Sequence, residues 1–157
     1  MLASDSVLLL DLWTRGIAAL DQESLLSPTP SRGRSLRALT VNVHHPFEIL
    51  PAAWPTGSFP WDPDRDGDRE VGLTTAAAVR AYAAGVLTSW RSFVTRFGAE
   101  LDTHDPVIAT PRGDVPYSVV LDTQRWHAAY HLRQLEAVTD QALLPDLDAL
   151  ALPVEVF

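Results

Sequence analysis

Residues 125–135 read RWHAAYHLRQL and place two of the chain's five histidines, His127 and His131, four positions apart. In a helix, residues at that spacing sit one turn apart on one face, with Cβ atoms about 6 Å from each other. Two imidazoles so placed can each reach a shared metal ion at about 2.0–2.1 Å. The stripe that holds them runs Val120, Gln124, His127, His131, Gln134 or Leu135, then Val138. Its ends are apolar and its middle is polar. An unpaired buried polar group costs on the order of 1–3 kcal/mol, so a polar interruption in a helix interior calls for a partner. The spacing alone is a weak signal. Ordinary half-exposed or hydrogen-bonded histidines fall into it by chance, and a metal site needs further ligands.

A second segment, LRALTVNVHHPFEILPAAW at residues 36–54, offers candidates for a third ligand. Arg37, Thr40, His44 and Glu48 form one polar stripe on a helix, which predicts that His44 faces solvent. The rest of the circumference is apolar apart from Asn42, the sole asparagine, and His45. Pro46 has no backbone N–H, so the carbonyl of Asn42 loses its helical donor there. Gln124 and Gln134 flank the histidine pair by three residues on either side. They line a pocket, hydrogen-bond an imidazole's second nitrogen as ligating histidines usually require, or simply pack. Trp126 points about 100° away from His127 and is assigned to packing.

Four helices must position these groups. Apolar residues at helical spacing (Val7, Leu10, Trp13, Ile17, Leu20) predict helix one over residues 5–24. Helix two spans 35–53, helix three 74 or 75 to 97, and helix four 116–140, where Pro116 suits a first turn. Residues 54–73 and 98–115 read as loops, with VIAT (107–110) a short extended piece. Four such helices predict an all-α four-helix bundle in one domain over residues 1–157, with the apolar tail 141–157 packing back on it. A helix of about 20 residues is about 30 Å long, and the 54–73 loop can run that distance, so a long crossover between helices two and three is expected.

Composition removes several function classes. The 157 residues carry a net charge of −8 and 46% hydrophobic residues, which opposes disorder and a nucleic-acid partner. No apolar run approaches the roughly 20 residues of a membrane span, and VLLLDLW is too short and too acidic for a leader, so a cytoplasmic chain is expected. With no cysteine there is no disulfide, thiolate ligand or cysteine nucleophile. All 12 basic residues are arginine, which removes lysine-based Schiff-base and P-loop chemistry. In DPDRDGDRE (62–70), Asp62, Asp64, Asp66 and Gly67 match the opening of a calcium loop, but the twelfth position holds Leu73, so a solvated acidic loop is expected. Trp54, Phe59 and Trp61 are expected to pack, with closure of a pocket as the alternative. His104 is expected in solvent. Ser118 and Asp122 form no nucleophile–base set with the histidines.

The chain resembles the DinB/YfiT-like metalloenzyme family through RSLRAL…HH in helix two, QRWHAAYHLRQL in helix four and the closing LPVEVF. The resemblance covers nearly the whole length. The family pattern pairs one histidine on helix two with H-x-x-x-H on helix four, often followed by Gln three residues later, and His127, His131 and Gln134 match it. It implies a divalent ion (zinc, nickel, iron or manganese) held by His45, His127 and His131, with Asn42 orienting a ligand or substrate. An alignment anchored on Arg34, Leu36 and Leu39 instead puts Asn42 in the histidine's place. Three histidines leave a coordination position open, and an open ion creates a nucleophile from a thiol or water at neutral pH. The family implies a mycothiol-type, thiol-dependent transferase or isomerase acting on a small electrophile, with the low-molecular-weight thiol arriving as cosubstrate, and a homodimer. The alternatives are a metal-dependent hydrolase and a non-catalytic, dimeric ligand-binding protein with a degenerate site.

Overall fold

The computed structural model describes residues 2–29, 33–141 and 143. The fold is mostly helical. The four long helices are α1 (Leu2–Ala18), α3 (Leu36–Thr56), α5 (Ala76–Leu101) and α6 (Tyr117–Thr139). Two short ones, α2 (Gln22–Leu26) and α4 (Asp66–Glu70), lie between them, and a 3-10 turn at Pro63–Arg65 leads into α4. An antiparallel hairpin, β1 (Val107–Thr110) and β2 (Gly113–Pro116), pairs Ile108 with Val115. α1 packs on α5 and α6, and α3 packs on the same two helices. None of the described helices is long and apolar enough to cross a membrane.

Local chemistry sets the helix ends. Ser35 caps α3 by accepting the Ala38 N–H, and Thr75 caps α5 by accepting that of Ala78. The predicted first helix is in fact two, because Asp21 starts α2 by accepting the Ser24 N–H. α3 runs past its expected end and stops at Gly57, whose φ of 67° suits glycine and whose N–H closes on Ala53. The 54–73 loop is therefore shorter than expected and contains two helical turns. Beyond Gly57 the chain is fastened to the hairpin: Ala109 donates to the Gly57 carbonyl, and Phe59 donates to that of Ala109. The extended VIAT segment is there, with β2 as its partner.

Trp13, Trp90, Tyr117 and Phe47 are the largest fully buried side chains. Phe47 meets Trp90 edge-on at 5.3 Å, and Trp90 stacks on Phe93 at 5.3 Å. Both buried indoles find acceptors, Trp90 on Ser6 (2.9 Å) and Trp13 on Thr40 (3.0 Å), as an indole N–H requires in a core. Leu143 also packs on the core, whereas the rest of the tail expected to fold back lies outside the described residues.

The polar stripe on α3 does not face solvent. Thr40 and His44 are both completely buried. Short α4, in the segment expected to be loop, engages the two ends of the stripe through Arg37–Glu70 (2.7 Å) and Arg69–Glu48 (2.6 Å) ion pairs, and Tyr82 of α5 donates to Glu48. Between these ends α1 and α5 close over the stripe: the His44 Nδ1–H donates to the Thr40 carbonyl (2.9 Å), and the ring lies between Trp13 of α1 and Tyr82 of α5. Its Nε2 is buried without a partner among the described residues. Burial pushes the His44 pKa down to about 4, although the Thr40 carbonyl opposes this.

The folded ring thus stays neutral to about pH 4, whereas an unfolded one takes its proton near 6.5. Between these values the unfolded state binds more protons, so stability is complete above pH 6.5 and falls as pH drops toward 4. The expected loss from this residue is on the order of 3 kcal/mol. Urea unfolding of His44→Leu should show a flatter dependence across this window than the wild type. Equal slopes in the two proteins would contradict the assignment.

Candidate functional site

α6 carries the histidine pair. Their Nε2 atoms lie 3.0 Å apart, with the rings nearly perpendicular at 83°. Gln134, one turn beyond, accepts the His131 Nδ1–H at 2.7 Å. This fixes the tautomer of His131 and leaves its Nε2 lone pair facing His127. The short contact is satisfied when His127 donates its own Nε2–H into that lone pair. His127 Nδ1 is then a bare acceptor, buried and without a partner among the described residues. Burial lowers the His127 pKa to about 3, helped by His131 and Arg34 and opposed by Asp66. The ring is therefore neutral at ordinary pH, the form a metal ligand needs.

The pair opens into a cavity of about 630 Å³, a size suited to a small molecule. α3 contributes Asn42 to its wall. Gln124 lines it with a carbonyl oxygen that is buried and has no partner among the described residues. Trp61, held 5.8 Å from the His127 ring, forms another wall. Its role is to bound the cavity, the alternative to plain packing, whereas Phe59 is buried and Trp54 packs on Tyr117. Trp126 stacks on Tyr130 at 5.7 Å, and both line the cavity. Trp126 therefore does more than pack. The cavity is wide enough to include the neighbouring stripe of α6, about 100° from His127.

Asp66 organises the wall, a role its place in an acidic run conceals. Its side chain is buried where a solvated acidic loop was expected. One carboxylate oxygen accepts from His45 Nδ1 (2.8 Å) and Trp61 Nε1 (3.1 Å), and the other from Asn42 Nδ2 (2.8 Å). Burial alone would raise the Asp66 pKa, but the hydrogen bonds from His45, Asn42 and Trp61 together hold it below the usual carboxylate value. The available signal was the tryptophan five residues earlier, since a partly buried indole needs an acceptor.

The six residues singled out by pattern divide accordingly. Asn42, Gln124, His127 and His131 share the cavity, and Gln134 supports His131 from behind. His45 is apart. It lines a separate recess of about 260 Å³ with Trp61, Asp62 and Arg65. Among the described residues, no group of three His, Asp or Glu side chains is gathered to hold a metal. The imidazole pair does pass a test of fit, because two ligands at right angles and 2.0–2.1 Å from one ion stand about 2.9 Å apart. Asn42 gives its amide nitrogen to Asp66, so its carbonyl oxygen is the end left for the cavity.

His104 is exposed against Trp54, Asp105 caps Ser118, and Asp122 pairs with Arg125. No hydrolytic triad arises from them. In comparisons with known proteins, no family model matches this chain and no curated protein matches it.

Removing the organiser should be costly. Asp66→Ala strands three donors, and an expected loss of about 2–4 kcal/mol in urea unfolding should accompany a shift in tryptophan emission as Trp61 is released. Exposed Asp64→Ala should change stability by less than about 0.5 kcal/mol. Similar values for the two variants would remove Asp66 from this role.

Proposed function

We propose that the chain is a four-helix bundle of DinB/YfiT type, with its long crossover between α3 and α5, and that it is a divalent-metal-dependent enzyme acting on a small molecule. The observation that carries this reading is the pair of imidazole nitrogens 3.0 Å apart at the wall of a 630 Å³ cavity, one of them oriented by a carbonyl from behind. A hydrogen bond to the rear nitrogen is what fixes the direction of a ligating imidazole.

His127 and His131 would hold the ion. The cavity favours the Asn42 carbonyl over His45 as the third protein group, because Asn42 lines it and His45 does not. An oxygen donor on two imidazoles weakens affinity for zinc relative to a three-histidine set and leaves nickel, iron and manganese in contention. When bound, such an ion supplies Lewis acidity and eases loss of a proton from a thiol or water. The chain's own residues do the remaining work. Gln134 orients His131, Trp61 and the Trp126–Tyr130 stack wall the cavity, and Gln124 presents an acceptor to a ligand's N–H or O–H. Because the chain lacks cysteine, a thiol has to come from a cosubstrate, in keeping with a transferase or isomerase of the mycothiol-dependent kind; the resemblance alone suggests a homodimer, and the sequence a cytoplasmic one.

A second reading has its own observation. Only two imidazoles reach the cavity, as expected of a bundle whose metal site has decayed and whose cavity now binds a ligand without catalysis.

Elemental analysis and calorimetric titration of untagged protein with Zn²⁺ and Ni²⁺ separate the two. The metal reading expects about one ion per chain and a loss of affinity of roughly a hundredfold or more in His127→Ala and in His131→Ala. His45→Ala should stay within about threefold of wild type, and Asn42→Ala should fall between. Protein that takes up neither ion supports the decayed site.

A further inference from the structure

The chain is acidic, with 20 Asp and Glu against 12 arginines, yet the lining of the histidine cavity runs the other way. It includes Arg34 and Arg112 and, among the described residues, no carboxylate. Five other arginines pair with carboxylates: Arg15 and Arg91 with Asp11, Arg37 with Glu70, Arg69 with Glu48, and Arg125 with Asp5 and Asp122. Among the described residues, neither Arg34 nor Arg112 has an ion-pair partner. A cavity with two guanidiniums that no described carboxylate matches, in a protein rich in carboxylates, is a site suited to an anion from outside.

The position of the charge can be narrowed. An adjoining recess of about 420 Å³ shares Arg112 but also presents Asp62 and Asp64. An anion is disfavoured there. On the histidine side, Arg34 acts on His127 electrostatically, and the walls are the rings of Trp61, Trp126 and Tyr130. Guanidinium forks bind carboxylates through paired N–H donors, and aromatic walls favour a flat apolar body.

From these features we infer that the cavity takes an organic acid, a carboxylate on a planar or aromatic body, with Arg34 and Arg112 engaging the carboxylate and the rings covering the body. This names the substrate class for the site proposed above and rests on that reading of the cavity as a substrate site. It does not require the ion to be present.

The test is calorimetric titration of untagged, chelator-treated protein with 1-naphthoate and its neutral analogue 1-naphthamide. The expected result is saturable binding of the acid, roughly tenfold or more tighter than the amide. Arg34→Gln and Arg112→Gln should each weaken the acid by about tenfold and leave the amide nearly unchanged. Exposed Arg133→Gln, away from the cavity, serves as the control and should behave as wild type. The inference is overturned by equal affinities for acid and amide, by insensitivity to both substitutions, or by no saturation up to about 10 mM. Inorganic phosphate binding as tightly as 1-naphthoate also overturns it, since the rings would then contribute nothing. Removing the ion first separates the two ideas. Metal uptake without acid binding sinks this inference alone, and acid binding without metal uptake sinks the metal reading alone.

Discussion

A single buried carboxylate sets the geometry of the cavity wall. Asp66 accepts hydrogen bonds from an imidazole, an amide and an indole that come from two separate stretches of chain. Each donor would be costly to bury alone, and the carboxylate would be costly without them. Together they lock α3 to the segment that crosses toward α5. That lock turns Asn42 toward the histidine pair and holds His45 elsewhere. It also hangs Trp61 beside His127. The composition of the cavity follows from where these three donors are tied down.

The long helices were legible because periodic apolar residues and capping side chains are local signals. Ser35, Thr75 and the Pro116 junction sit where helices begin, and the spacing of His127 and His131 was enough to put both on one face. What escaped was set by distant partners. Thr40 and His44 fall on a stripe that looks solvated by type. Burial comes from α1 and α5, whose Trp13 and Tyr82 flank the His44 ring, while α4, a five-residue helix in a stretch whose prolines, glycines and aspartates read as loop, holds Arg37 and Glu48 at the stripe's ends. Trp126 was assigned to packing because helical angle places it away from His127, and only the width of the cavity brings it in. Which of Asn42 and His45 lines the histidine cavity turned on the destination of Asp66, one acid among several in an acidic run.

The electrostatics of the molecule are sharply partitioned. Acidic side chains dominate its charge, but those nearest the cavity are either turned into the wall, as Asp66 is, or displaced to the adjoining recess, as Asp62 and Asp64 are. His127 stays neutral through burial, with the neighbouring imidazole and Arg34 acting in the same direction. The cavity thus combines the neutral His127 ring with fixed positive charge, an arrangement that the overall pI of 4.9 conceals.

α3 contains Pro46, Pro51 and Pro55. None of the three can donate to the carbonyl four residues back, so the ladder lacks donors at Asn42, Phe47 and Pro51. As an excised peptide this segment would be close to random coil. Its regularity is borrowed from α5 and α6, against which Phe47 and Leu50 are clamped. Tyr117 of α6 even supplies a phenolic donor to the Leu50 carbonyl. The wall that presents Asn42 therefore has no autonomy. Any slackening between these helices will be felt there before it reaches the histidines on their unbroken rod.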